Sequence, residues 1–81
     1  MVYLYVIQGR ATDKRYVGIT NDLDRRLKEH RGLKSKGGQI LGGDFFLLHS
    51  ESHEDYVQAR IREKFLKSGK GRELLREKYP V

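Results

Sequence analysis

The feature that most constrains the fold is a pair of strand-like segments joined by one short polar loop. Residues 2–7 are all apolar or aromatic, and residues 15–20 are again rich in β-branched and aromatic side chains. Residues 8–14 between them are polar and include one glycine, which is typical of a hairpin loop. The sequence therefore predicts that the chain begins with two antiparallel strands.

Strand periodicity predicts which side chains of this hairpin share a face, because successive residues point to opposite sides of a sheet. One face is predicted to be core and comprises Leu4, Val6, Val17 and Ile19. The other face carries Tyr5 and Tyr16, so two phenol groups are expected near each other. Gly18 lies on that face as well, and we expect it to leave room for a ligand to approach the backbone closely.

A basic helix is predicted directly after the second strand. Asn21 is a suitable N-cap, and Gly32 is a stop signal just after Arg31. Leu23 and Leu27 are one turn apart and provide the apolar anchors of this helix. The chain therefore passes from strand to turn to helix within residues 16–31.

Charged side chains on this helix fall into two groups. Arg26 and His30 are four residues apart on the flank of the apolar stripe, so both should emerge where the helix meets the sheet. Arg25, Lys28 and Arg31 point elsewhere, toward solvent or a phosphate backbone.

The charge of the chain is concentrated near this helix. The 81 residues carry a formal net charge of +6, and the window 25–36 alone holds six basic residues against one acid. A local excess of this kind attracts polyanions, although a solvated helix face is the plainer interpretation. The chain has no cysteine, which excludes disulfides and cysteine-based zinc sites and favours an intracellular, cytoplasmic setting. No apolar run suggests a membrane partner.

The second half of the chain is predicted to supply one more strand and two helices. Residues 33–44 read as a flexible glycine-rich loop, and residues 45–49 as a third strand. A helix is predicted over residues 53–68, with a capping box starting at Ser52. A last short helix is predicted over residues 71–79, with Leu74 and Leu75 inward.

The helix over residues 53–68 carries an apolar row and one unusual acid. The row consists of Val57, Ile61 and Phe65 and is predicted to be core. Glu63 is set into a neighbouring, largely apolar row, where a carboxylate is costly unless it is paired or bound to a cation. A salt bridge to Lys67, four residues later, and a bound cation both remain open.

These residues together resemble a known nuclease family. Its two short motifs and the residues that follow them are matched by Tyr3-Leu4-Tyr5, Tyr16-Val17-Gly18, Arg26, His30 and Glu63. The likeness is to the GIY-YIG endonucleases, and in particular to a small single-domain branch similar to the N-terminal nuclease domain of the DNA-repair excinuclease. Residues 16–30 look like that branch's signature almost position for position, and the resemblance covers essentially the whole chain.

The resemblance implies a single α/β (α+β) domain over residues 1–81, with a three-stranded antiparallel sheet and packed helices. It also implies phosphodiester cleavage with one divalent cation, Mg²⁺ or Mn²⁺, held by Glu63. By position, Arg26 matches the family arginine that meets the phosphate. Tyr5, Tyr16 and His30 remain open as the base, and we favour Tyr5 with the other two assisting.

The function expected from these observations is a metal-dependent DNA endonuclease acting in repair or recombination on branched, nicked or flapped DNA. The residues predicted to contact nucleic acid are Gly18, Arg25, Lys28, Arg31, Lys34 and Lys36. The family's late asparagine has no match here, since Asn21 is the only asparagine. That difference keeps two alternatives open: a catalytically weak nucleic-acid-binding module, and a nuclease component that depends on a protein partner or on a homodimer.

Overall fold

The computed structural model describes residues 1–32 and 41–80, which form a sheet with helices on both faces. The elements are, in chain order, β1 (Val2–Gly9), β2 (Arg15–Thr20), α1 (Leu23–Arg31), β3 (Phe45–His53), α2 (Tyr56–Lys67) and α3 (Gly69–Lys78). This arrangement confirms the predicted α+β class. Most of the predicted loop over residues 33–44 lies outside the described residues. Among the helices that are described, none is long and apolar enough to cross a membrane.

The sheet is antiparallel throughout and has the strand order β2-β1-β3. In the hairpin, Tyr5 lies opposite Gly18 and Val6 opposite Val17, which confirms the predicted pairing. Strand β1 is central and is covered on both faces, which explains why its sequence is continuously apolar instead of alternating with polar residues.

Each face of the sheet carries its own apolar cluster. The cluster beneath α2 and α3 comprises Leu4, Val6, Val17, Leu66 and Leu75. The cluster on the opposite face comprises Tyr5, Ile7, Leu41 and Phe45. Leu23 and Leu27 of α1 pack against the second cluster, as predicted. The tyrosines of the hairpin therefore lie under α1, and the aliphatic residues lie under the two later helices.

Strand β3 is longer than the five residues predicted, and this moves the start of α2. The strand pairs with the whole of β1, from Gly9 opposite Phe45 to Val2 opposite His53. Residues 52 and 53 are consequently strand, and the predicted capping box at Ser52 is wrong. The cap is Asp55, whose carboxylate accepts a hydrogen bond from the Gln58 amide at 2.9 Å.

The predicted N-cap of α1 is also wrong by one residue. Asp22 occupies the cap, and its carboxylate accepts a hydrogen bond from the Arg25 amide at 3.1 Å. The hydroxyl of Thr20 accepts a hydrogen bond from the Asp22 amide at 3.1 Å, which closes the turn between strand and helix. The predicted end of α1 at Arg31, with Gly32 as its C-cap, is confirmed.

Helix α2 packs against the sheet with a different side from the one predicted. Ala59 and Leu66 are buried, whereas Val57 and Ile61 are 67% and 62% exposed. The predicted core row of Val57, Ile61 and Phe65 is therefore wrong. The inward side combines a small residue, a leucine and Arg62, whose guanidinium pairs with a carboxylate on β3. Which side of α2 faces the sheet thus depends on contacts with residues that are distant in the sequence, such as Glu51 on β3.

The last helix begins at Gly69 instead of residue 71, with Ser68 as its N-cap. Gly71 lies directly against the backbone at the end of α2, and a Cβ there would overlap Phe65 and Leu66. Leu75 is buried as predicted, but Leu74 is 39% exposed.

Candidate active site

A buried tyrosine–histidine pair forms the centre of the site. Tyr5 comes from the middle of β1, and His30 comes from the last turn of α1. The Tyr5 hydroxyl and His30 Nε2 are hydrogen-bonded at 2.7 Å. The two side chains are 1% and 0% exposed, respectively, so the pair is shielded from bulk water.

Gly18 makes this placement of Tyr5 possible. A Cβ at residue 18 would lie 2.6 Å from Cζ of Tyr5 and would also overlap its hydroxyl oxygen. The Tyr5 ring thus occupies the space that the glycine leaves. The prediction that Gly18 leaves this face open to nucleic acid is therefore wrong, since Gly18 is buried beneath a side chain.

Tyr16 is the second phenol of the site and lies where it was predicted. Its ring centroid is 6.5 Å from that of Tyr5 and 5.3 Å from that of His30. Tyr16 is half-buried, whereas Tyr5 is enclosed. Of the two phenols, Tyr16 is the one that solvent can reach.

Arg26 lies one turn before His30 on α1 and reaches the same cluster. Its hydrogen bond to the Tyr5 phenol is the main reason why the pKa of Arg26 is raised. The guanidinium also pairs with Glu29 at 3.2 Å. The predicted emergence of Arg26 and His30 between helix and sheet is confirmed.

Glu63 approaches the cluster from α2. It lies close enough to Tyr5 for its negative charge to contribute to the raised pKa of that phenol. Its side chain is 14% exposed and accepts a hydrogen bond from Lys67 at 3.2 Å. The predicted salt bridge is confirmed. Tyr5, Tyr16, Arg26 and His30 therefore form one cluster, and Glu63 lies within electrostatic reach of its central phenol.

Burial sets the protonation of the central pair. Burial raises the pKa of Tyr5, and although Arg26 opposes this effect, the pKa remains above its ordinary value of 10.0. Burial, together with the nearby Arg26, lowers the pKa of His30 below its ordinary value of 6.5. At neutral pH the phenol therefore keeps its proton and the imidazole is neutral, so Nε2 can accept a hydrogen bond from Tyr5.

The site offers one carboxylate for a divalent cation. Across residues 1–32 and 41–80, no group of three or more histidine, aspartate or glutamate side chains is arranged to hold a metal ion. Mg²⁺ often uses one or two carboxylates and completes its coordination with waters and substrate phosphate oxygens. Glu63 fits a cation of this kind, which would bind together with the nucleic acid.

The residues predicted to contact nucleic acid are dispersed. Arg25 and Lys28 are exposed on α1. Arg31 is exposed as well, but its guanidinium lies 4.4 Å from the centroid of the Phe45 ring and donates a hydrogen bond to the Phe45 carbonyl. Lys34 and Lys36 lie outside the described residues.

Phe45 belongs to the site and was not predicted. Its ring meets the His30 ring edge-on, with centroids 6.2 Å apart and planes at 89°. Phe45 is fully buried and fixes one side of the imidazole. The contact joins residues 15 positions apart across a loop, and neither periodicity nor a motif indicates it.

A second polar cluster lies on the opposite face of the sheet, centred on Glu51. Its carboxylate pairs with Nε2 of His49 at 2.8 Å, with Nε2 of His53 at 3.1 Å and with the Arg62 guanidinium at 3.1 Å. Burial alone would raise the pKa of Glu51, but these three partners lower it to about 2. These ion pairs link β3 to α2. Residues 49, 51 and 53 alternate along β3, so a strand predicted at its full length would have placed these three side chains on one face.

The comparisons with known proteins agree with this geometry. The family model described as the GIY-YIG catalytic domain matches residues 1–79, which include both tyrosines, Arg26, His30 and Glu63. Comparison with curated proteins and with solved structures finds no match. Since the family model covers nearly the whole chain and its residues converge in space, the chain belongs to the GIY-YIG family of endonuclease catalytic domains.

Proposed function

We propose that this protein is a metal-dependent endonuclease that hydrolyses phosphodiester bonds in DNA. The observation that carries this proposal is the convergence of side chains from β1, β2, α1 and α2 around the Tyr5 phenol. They include a guanidinium, two phenols, an imidazole and a carboxylate. The family match supports hydrolysis, because the family consists of endonucleases.

Arg26 is the proposed phosphate ligand. Its guanidinium is permanently charged and planar, so it can neutralise two oxygens of a phosphate at once. It lies beside the phenols, where charge would develop on the phosphoryl oxygens during attack. Arg25 and Lys28, which are exposed on the same helix, would hold the neighbouring backbone phosphates.

The tyrosines are proposed to handle the proton of the attacking water. Burial of Tyr5 favours Tyr16 as the phenol that meets water, with Tyr5 and His30 behind it as a hydrogen-bonded pair. Water would attack the phosphorus and give up its proton through the phenols, while Tyr5 passes its own phenolic proton to the neutral Nε2 of His30, 2.7 Å away. The bond from phosphorus to the leaving oxygen would then break, and that oxygen would take a proton from solvent. Comparison of Tyr16→Phe and Tyr5→Phe decides between the two phenols, since only the base should be indispensable.

Glu63 is the proposed metal ligand. A divalent cation bound there would supply charge neutralisation for the phosphoryl and leaving oxygens. Lys67, which pairs with Glu63, would be released when the cation binds. The fit of one carboxylate to Mg²⁺ or Mn²⁺ supports this assignment.

A cleavage assay tests the proposal directly. Wild type is incubated with nicked, flapped, branched and supercoiled DNA, with Mg²⁺, with Mn²⁺ or with chelator. We expect cleavage of at least one substrate that requires the metal and is lost in Glu63→Gln. Glu73→Gln, at an exposed position of α3, is the matched control and should cut like wild type. Identical products from wild type and Glu63→Gln would refute the proposal.

The likeness of residues 16–30 to the nuclease domain of the excinuclease supports a role in DNA repair or recombination. It also supports recognition of DNA structure in preference to sequence, because so small a domain has little surface for reading bases. The panel of substrates above identifies the preferred structure.

The exposed arginine and lysine of α1 favour one alternative, a binding module with little activity. Such a module would bind DNA with strong salt dependence and without cleavage. Arg26→Lys and Arg25→Lys separate the two functions. The nuclease predicts that Arg26→Lys lowers the cleavage rate about 100-fold while Arg25→Lys does not. The binding module predicts small, similar losses of affinity for both.

A further inference from the structure

The outer side of α2 carries an exposed apolar strip formed by Val57, Ile61 and Phe65. These side chains are 67%, 62% and 37% exposed, respectively. Because they recur every four residues, they form one continuous ridge along the helix. Single exposed apolar residues are ordinary, but three in an unbroken ridge indicate a surface that binds another molecule.

One flank of the apolar strip is basic. Arg60 and Lys64 each follow a residue of the strip by three positions, so they lie beside it on the helix surface. Both are exposed, and neither forms an ion pair within residues 1–32 and 41–80. Glu63, the sole acid of α2, lies on the inward side and is paired with Lys67. The charge of this flank is thus not neutralised within the described fold.

We propose that the apolar strip binds an amphipathic helix of a partner protein, and that this helix has apolar residues at a spacing of four and acidic residues along one edge. Ridges of this spacing pack into the grooves of a second helix at about −50° in the commonest class of helix pairing. The acidic edge would then meet Arg60 and Lys64. The docking surface is separate from the site around Tyr5, so the proposal does not depend on nuclease activity.

A second copy of the chain fits this surface poorly. Two copies of α2 paired antiparallel about a two-fold axis through Ile61 would place Arg60 and Lys64 of one copy against the same residues of the other. Parallel pairing would place them against Gln58 and Arg62, which also offer no negative charge. The strip exposes on the order of a few hundred Å², whereas a stable dimer buries about 800 Å² per partner. The charge and the area both favour a short acidic helix.

Nucleic acid would satisfy the charge but not the apolar ridge. Contact with valine and isoleucine side chains does not stabilise a bound phosphate. Val57 and Ile61 would therefore stay exposed to water in a complex with DNA. A protein helix satisfies both features at once.

Selection from a library of displayed helical peptides tests the chemistry of the partner. The library is randomised on one face, selected on wild type and counter-selected on Ile61→Ser. We expect enrichment of peptides that have apolar residues every four positions and Asp or Glu along one edge. A synthetic peptide with the enriched sequence should bind wild type at least tenfold more tightly than it binds Ile61→Ser or Lys64→Glu.

Leu47→Ser is the matched control, because it removes an apolar side chain that is 40% exposed but lies on β3. It should bind the peptide like wild type. The Tm of each variant checks that the fold is retained, and Lys64→Glu keeps the test valid should Ile61→Ser fail to fold. Three results would overturn the proposal: no enrichment, enriched peptides without acidic residues, or equal binding by wild type and Lys64→Glu. Ile61-dependent dimerisation in sedimentation would identify a second copy as the occupant instead, and competition by duplex DNA would identify nucleic acid.

Discussion

The Tyr5 hydroxyl lies 2.7 Å from His30 Nε2, which joins the central strand to the last turn of α1. The two residues are 25 positions apart, and both side chains are buried. This hydrogen bond thus adds to the packing of Leu23 and Leu27 in holding the helix on the sheet, and it orients the phenol in the proposed active site. Its loss should affect stability and cleavage together.

Replacing Tyr5 by phenylalanine tests this dual role. Tyr5→Phe keeps the ring and its packing but removes the hydrogen bond, so we expect the free energy of unfolding to fall by about 1–2 kcal/mol. Urea denaturation measures this change. Tyr3→Phe, at a half-buried position of the same strand, should change it by less than about 0.5 kcal/mol. Equal losses in the two variants would contradict the importance of the hydrogen bond.

Gly18→Ala should disturb Tyr5 from the neighbouring strand. The added methyl group would lie 2.6 Å from Cζ of Tyr5, so the phenol must move and the overpacking should cost about 1–3 kcal/mol. Cleavage should fall further than stability alone explains, because the displaced phenol loses its alignment with His30. Gly69→Ala is the control, since a Cβ there meets nothing within 4 Å. It should leave both the unfolding curve and the cleavage rate unchanged.

Cleavage should fall in acid as His30 gains a proton. Burial and Arg26 lower the pKa of His30, so the neutral form that accepts a hydrogen bond from Tyr5 persists to below pH 6.5. The acid limb of the cleavage rate should accordingly lie below pH 6.5, and His30→Gln should remove this limb and lower the rate at every pH. An acid limb that is unchanged in His30→Gln would assign the titration to another group.

The hairpin and α1 could be predicted from the sequence because their signals are local. Strand alternation correctly placed Tyr5, Tyr16 and Gly18 on one face, and helix spacing correctly brought Arg26 and His30 to the sheet. The predicted role of Gly18 was wrong, because the sequence pattern of a glycine opposite a tyrosine is the same whether a ligand or the tyrosine ring fills the space beside the glycine. Only the packed structure distinguishes the two.

The inward side of α2 could not be predicted, because it depends on distant partners. Ile61 and Leu66 are similar in hydrophobicity, and periodicity alone ranks their rows equally. The choice is made by Arg62, which pairs with Glu51 on β3, and by Gly71, which packs at the end of α2. Glu51 lies in the four residues by which β3 exceeds its predicted length, so its pairing with Arg62 could not be anticipated.

Glu51 should make the stability of the protein depend on pH in moderately acidic solution. Its pKa is about 2 in the folded protein against an ordinary value of 4.5. A lowered carboxyl pKa stabilises the folded state above pH 4.5, and this contribution, about 3 kcal/mol, is lost as the pH falls toward 2. Glu51→Gln should therefore destabilise the protein at pH 7 but have much less effect near pH 2.

Urea denaturation of wild type and Glu51→Gln at several pH values measures this difference. Glu73→Gln, an exposed glutamate on α3, is the control and should be as stable as wild type throughout. A difference between wild type and Glu51→Gln that stays constant from pH 7 to pH 2 would show that the carboxylate does not titrate within the cluster.

Alanine substitutions on the two sides of α2 test which side is core. Leu66 is 1% exposed and packs between the sheet and α3, so Leu66→Ala should cost about 2–5 kcal/mol of unfolding free energy. Ile61 is 62% exposed, and Ile61→Ala should change the stability by less than about 0.5 kcal/mol, or increase it through the better helix propensity of alanine. Both values come from urea denaturation of the isolated protein. A large loss from Ile61→Ala at a protein concentration where the chain is monomeric would place that residue in the core, and it would also remove the exposed ridge on which the docking surface depends.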